Sequence, residues 1–196
     1  MKFIIGIGNH GREYERTRHN AGFGVLDALA RGRQARWSVS KDWKAETAGL
    51  GNGVFLLKPT TFVNRAGECA AVVVREGGEG ASNEVLLVCD DVNLDLGKLR
   101  LRRSGSAGGH HGLESVIGGL GSEDFARLRL GVRRSQMPED LTAFVLERFS
   151  TDEQKQVVGA MERAALICEA WAAEGFDAAE KRLSRLQSIN NKGEVE

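Results

Sequence analysis

Proline and cysteine are scarce in this chain, and neither sign of charge prevails. Of its 196 residues, 2 are proline and 3 are cysteine. Cys69, Cys89 and Cys168 are odd in number and lie in apolar stretches. That excludes a disulfide framework or a paired metal motif and points to buried thiols in a reducing compartment. Lys plus Arg and Asp plus Glu are 27 each, so overall charge announces no polyanionic partner, and any nucleic-acid surface has to be local. No apolar run reaches the roughly 20 residues needed to span a bilayer. The chain enters on the strand-like Lys2-Phe3-Ile4-Ile5-Gly6-Ile7 without a signal-peptide layout, and the expected location is cytoplasmic. Glycine, by contrast, is abundant: 25 residues supply tight turns and loops where backbone approaches a ligand.

No repeat or composition break divides the chain. Phe3 to Ile7 is expected to form a buried strand ending at Gly8-Asn9. A polar loop leads to His19, and Asn20 is expected to cap a helix carrying Phe23, Leu26, Leu29 and Ala30. Gly53 to Leu57 reads as a strand stopped at Lys58-Pro59, and Val63 to Val74 as a helix. Val85-Leu86-Leu87-Val88-Cys89 has the continuous apolar pattern of a central strand buried on both faces, ending in Asp90-Asp91. Lys98 to Arg102 and Arg127 to Leu130 alternate leucine with cation, so leucines are expected inward and cations outward. A short helix from His110 to Leu120 lies between them. Ser150 and Glu153 have the spacing of a capping box, ahead of an apolar face traced by Val157, Met161, Ala164, Cys168 and Trp171. A last helix carries Phe176, Ala179, Leu183 and Leu186. These patterns predict an α/β fold, a single domain with a twisted mixed β-sheet flanked by helices and a helical C-terminal part. The domain is expected over 1–188, with 189–196 a polar, flexible tail.

Gly6-Ile7-Gly8-Asn9-His10-Gly11 matches G-x-G-x-x-G, yet the residues after it carry no apolar helical face. A dinucleotide site needs a helix to start there, so that reading is set aside. The 4 histidines, His10, His19, His110 and His111, fall in loops or at a helix start. Asp90 closes the central strand, where sites of open α/β sheets gather. A histidine against that carboxylate would be held in one tautomer, as a general base requires; a structural hydrogen bond uses the same residues, and the pattern leaves both readings open. Asn9 and Asn64 offer amides able to bind a peptide backbone, or plain turn and cap residues. Ser104, Ser106 and the Gly105–Gly109 stretch form either a mobile substrate loop or a hairpin-like connection. Lys98, Arg100, Arg102 and Arg103, with Arg127, Arg129, Arg133 and Arg134, make either a phosphate-neutralising surface or a solvated edge strand.

Taken together, the segments resemble the bacterial peptidyl-tRNA hydrolase family. The resemblance is carried by Gly6 to Gly11 with Tyr14 and Thr17-Arg18-His19-Asn20-Ala21-Gly22, by Lys58 to Asn64, by Asp90-Asp91 with Leu94 and Gly97, and by Gly105 to Leu113. Phe125 to Gly131 and Phe144-Val145-Leu146 also fit, so the likeness runs in order from residue 2 to about 188. It implies hydrolysis of the ester joining a peptide to the 3′ end of tRNA, releasing tRNA for translation, with peptidyl-tRNA as partner, no cofactor and no metal. His19 would be the base, Asp90 its orienting carboxylate, and Asn9 a catalytic amide. Tyr14, Phe62, Asn64, His110 and His111 would bind substrate, and Arg100, Arg102 and Arg129 would contact tRNA phosphates. A cytoplasmic monomer acting in ribosome rescue is the expected setting.

This chain departs from the family pattern at His10, Val63 and His111, where proline, methionine and asparagine are usual. His111 offers one donor and one acceptor and is able to carry charge. Two other readings draw on the same residues. A non-catalytic RNA-binding relative, as in plant organelles, has no need of His19, Asp90, Asn9 and Asn64. A metal-dependent hydrolase built on His10, His19, His110, His111 or Asp90 finds no matching zinc spacing in the sequence.

Overall fold

The computed structural model describes residues 1–78 and 80–193. Seven strands form one sheet: β1 (Lys2–Gly6), β2 (Ser38–Ser40), β3 (Ala45–Gly51), β4 (Val54–Pro59), β5 (Val85–Asp95), β6 (Leu99–Arg102) and β7 (Ala126–Arg133). Their order is β2-β3-β4-β1-β5-β7-β6. The central β4, β1, β5 and β7 run parallel, and antiparallel pairs close both flanks. The sheet is mixed, as the sequence patterns predict.

Alternation along the strands divides the core between two faces. Ile4, Leu86, Val88, Leu128 and Leu130 face one side, where α1 (Ala21–Gly32), α5 (Thr151–Glu174) and α6 (Phe176–Gly193) pack. Phe3, Ile5, Ile7, Leu87 and Cys89 face the other, under α2 (Gly67–Gly77) and α3 (His111–Leu120). A short helix, α4 (Leu141–Leu146), joins β7 to α5. The capping box on α5 forms as its spacing requires: Ser150 Oγ accepts from the Glu153 N–H, and Glu153 Oε2 accepts from the Ser150 N–H at 2.7 Å. All three cysteines are free and buried, and burial pushes the Cys69 and Cys89 thiols up to about 12.

Several expectations need correction. β5 does not stop at Asp91 but continues to Asp95, with an irregularity in its pairing to β7 between Asp91 and Asp95. The leucines of β6 and β7 do face the core, but β7 is covered by β6 and is no edge strand. Arg127 is consequently buried, at 1% exposure, rather than solvated. Its guanidinium lies 4.2 Å over the Phe125 ring and donates to the Gly105, Glu123 and Phe125 carbonyls. Asn20 precedes α1 but makes no side-chain cap bond. α6 runs on to Gly193, so residues 189–193, expected in a polar tail, continue the helix, while 194–196 lie outside the described residues.

Candidate active site

The parallel strands β1, β4 and β5 deliver their C-terminal ends to one rim, where ligand sites in such sheets form. From β1 the chain passes to Asn9, from β4 to the 3-10 turn Val63–Arg65, and β5 carries Asp90. A second 3-10 turn, Arg18–Asn20, brings His19 to the same place. It is held close because Gly22, in the first turn of α1, has no side chain: a Cβ there would run into the Val88 carbonyl and the Ile7 backbone.

His19 Nδ1 lies 2.9 Å from Asp90 Oδ1, and His110 Nε2 lies 3.1 Å from the same oxygen. The rings of His19 and His110 sit 5.2 Å apart. Asp90 is buried, which opposes ionisation, yet the His110 and His19 imidazoles hold its carboxyl well below the usual carboxylate range. For His19, burial pushes the imidazole pKa down, but the Asp90 charge and hydrogen bond together push it further up, to a net value above 6.5.

The two histidines are not equivalent. His110 is the N-cap of α3, and its Nδ1 accepts the Leu113 N–H at 3.2 Å. A neutral imidazole whose Nδ1 accepts must carry its proton on Nε2, which therefore donates to Asp90. Both nitrogens of His110 are thus engaged. His19 donates through Nδ1 and keeps the lone pair of Nε2.

A metal at this cluster would meet the same constraint. His19, Asp90 and His110 each present a ligand atom, all within 4.8 Å of one another. A cation on His110 Nε2 would have to displace the proton there, move it to Nδ1 and break the cap to Leu113. As arranged, the set suits shared hydrogen bonds on Asp90 and does not suit a cation.

A cavity of about 570 Å³ opens over this cluster, walled by Asn9, Asn64, His111 and Arg129 and on another side by α4. Asn9 is buried and oriented: its Oδ1 accepts the Val63 N–H at 3.0 Å, which leaves the Nδ2 amino group for a ligand. Asn20, expected as a helix cap, grips Asn9 instead, accepting its N–H at 2.9 Å and donating to its carbonyl at 3.0 Å. Asn64 is exposed on the 3-10 turn, and the shorter Val63 lies behind it as part of the wall. His111 stands at the rim, exposed, with Nδ1 3.1 Å from Glu114 Oε2. Tyr14 and Phe62 lie outside the wall, edge to face with centroids 6.3 Å apart, and Phe62 is 56% exposed.

Arg129 lines the cavity and is tied to Asp91 Oδ2 at 3.2 Å and to the Ser106 carbonyl at 3.4 Å. Register places it opposite Arg100, while Arg102 opposes the buried Arg127. Arg100 and Arg102 are exposed, so a cationic strip runs from the cavity along β6. α4 contributes a further, apolar wall. Leu141, Val145 and Leu146 line the cavity, and Leu141 and Leu146 are large apolar side chains left exposed there. Their six-residue helix is too short to show a period, so periodicity does not mark them, although Val145 and Leu146 fall in the segment Phe144-Val145-Leu146 that carries part of the family resemblance. A larger hollow of about 890 Å³ lies across Asn9 from this site. Among the described residues it brings no histidine into contact with a carboxylate, and its Lys58 is already paired with Asp27 and Glu46.

The family model for peptidyl-tRNA hydrolase matches residues 3–192. The chain belongs to the peptidyl-tRNA hydrolase family. Relatives in it include the peptidyl-tRNA hydrolase of Gloeobacter violaceus, 41% identical over 182 residues, covering 91% of each chain. That of Geobacillus kaustophilus is 43% identical over 176 residues, covering 86% of this chain and 91% of its own. The crystal structure of peptidyl-tRNA hydrolase from Acinetobacter baumannii superposes with a TM-score of 0.83 at 28% identity, covering 93% of this chain and 94% of that one. The family's fold is therefore the fold described above.

Proposed function

We propose that this chain hydrolyses the ester between a peptide, or an N-acyl-aminoacyl group, and the 3′ end of tRNA. The observation that carries the mechanism is the pairing of His19 with Asp90 beside a His110 whose two nitrogens are both occupied. His19 Nε2 takes a proton from water as the water oxygen attacks the ester carbonyl. The Nδ2 of Asn9 donates to the oxyanion as it forms, its orientation already set by Val63. When the tetrahedral intermediate collapses, the bond to the ribose 3′-oxygen breaks, and the proton on His19 passes to that leaving oxygen. Peptide acid and free tRNA result. An ester needs no stronger nucleophile than an activated water.

Asn64, His110 and His111 border the peptide, and Tyr14 with Phe62 offers aromatic faces to the terminal nucleotide. Arg100, Arg102 and Arg129 neutralise phosphates of the acceptor arm. No described helix is long and apolar enough to cross a membrane. A cytoplasmic, RNA-binding monomer that rescues peptidyl-tRNA from stalled translation accords with that and with the family.

The test is hydrolysis of N-acyl-aminoacyl-tRNA by the purified protein, against tRNA whose aminoacyl group has a free α-amine. Cleavage of the first and sparing of the second is expected. RNA binding without any esterase activity would remove the reading in favour of a binding module.

A further inference from the structure

The residue before His19 does no work in the cavity, yet it is among the most buried side chains in the protein. Arg18 is 1% exposed. Its Nη2 meets both oxygens of Glu153 at 2.9 and 2.7 Å, and its Nη1 donates to the Arg148 carbonyl at 2.8 Å and to that of Glu147 at 3.3 Å. Its backbone N–H donates to the Glu147 carbonyl at 3.0 Å. The guanidinium plane lies 4.4 Å over the Phe144 ring and 5.2 Å from that of Phe149. Glu153 is itself locked, because Oε2 also accepts the Ser150 N–H of the capping box.

A buried ion pair is weak evidence for stability, since apolar side chains of similar volume often serve as well. What they do not supply is direction. A guanidinium is a rigid fork, and here one carboxylate and two carbonyls take its donors at fixed angles. Even so, its Nε finds no partner among the described residues. The turn is pinned on its other side by Asn20, which grips the Asn9 backbone. His19 therefore sits between two anchored neighbours. Phe144 belongs to α4, whose Leu141, Val145 and Leu146 wall the cavity. The side chain that contacts the His19 turn thus also stacks on the helix that walls the cavity.

We propose that Arg18 is a positioning residue, holding the His19 turn and the α4 wall in one register through Glu153 and Phe144. The proposal rests on His19 being the base. The charged groups around the turn are Asp90 and His110 on the His19 side, and Glu147, Glu153 and Arg134 on the other.

The experiment compares Arg18→Lys and Glu153→Gln with Ser150→Ala, which weakens the α5 cap while leaving Arg18 its partners. In the first two, kcat per folded molecule should fall between about ten- and a hundredfold, as expected for a displaced base. The His19 imidazole, followed by NMR in the protein without substrate, should titrate at lower pH than in the wild type. Ser150→Ala should lower the melting temperature and leave both readings alone. If both pair variants behave like Ser150→Ala, Arg18 is structural only and the proposal fails. The titration needs no tRNA, so a wild type unable to cleave peptidyl-tRNA overturns the functional reading while the positioning of His19 is still measured.

Discussion

The backbone N–H of Leu113 donates to Nδ1 of His110 at 3.2 Å, and that bond distinguishes two histidines which otherwise share one oxygen of Asp90. His110 is committed at both nitrogens, whereas His19 retains a lone pair facing the cavity.

His19→Ala should therefore abolish turnover, a loss of at least about 10²–10⁴, with the fold intact by circular dichroism. His110→Ala should lose less activity but more stability, on the order of 1 kcal/mol for the missing cap. Steady-state rates and denaturant melts of both variants give the comparison. The reverse ranking in activity would assign the base to His110.

Asp90→Asn removes the charge that, together with its hydrogen bond, outweighs the burial of His19, so the imidazole should become less basic. The acid limb of the kcat/KM–pH profile should then move to lower pH, with a reduced plateau. Movement to higher pH would mean that Asp90 does not govern this histidine.

Stability should follow pH in two windows. The Asp90 carboxyl is held below its ordinary 3.8, so its contribution is present above that value and is lost as pH falls through the lower, folded-state pKa. His19 is raised above 6.5, so its contribution is fully present below 6.5 and is lost as pH rises through the folded-state value. The stability gap between wild type and His19→Gln, from urea melts, should accordingly be wider at mildly acidic than at alkaline pH. An equal gap across the range would contradict the coupling.

Arg127 and Arg100 share one face of the sheet, but their variants should differ in kind. Arg127→Ala uncaps the carbonyls holding the Gly105–Gly109 connection and should cost about 2–3 kcal/mol of stability, with an unchanged salt dependence of tRNA binding. Arg100→Ala should leave the melt unaltered and reduce the slope of log affinity against log salt by about 1. Filter binding at several salt concentrations separates them.

Much of this was legible in advance because it depends on local pattern. The run Val85 to Cys89, the leucines of β6 and β7 and the Ser150–Glu153 box all behave as their spacing demands. The failures share a cause. Asn20 has the form of a helix cap, but its partner Asn9 is eleven residues away and better placed. Arg127 follows the same alternation as Arg129, yet the two differ in burial because β6 and the Gly105–Gly109 connection cover them unequally. β2 and β3 have no clean apolar alternation and form by pairing onto β4.

From its residues alone this chain specified a mixed α/β domain, a histidine in a loop, a carboxylate closing its central apolar run, and its family. Periodicity is local, and a strand's end is written where its apolar run stops. Which histidine keeps a free nitrogen, which arginine meets solvent, and what steadies the His19 turn depended on side chains distant in the chain. Hydrogen bonds such as Leu113 to His110 and ion pairs such as Arg18 with Glu153 exist only once packing has placed donor and acceptor within about 3 Å, at a workable angle.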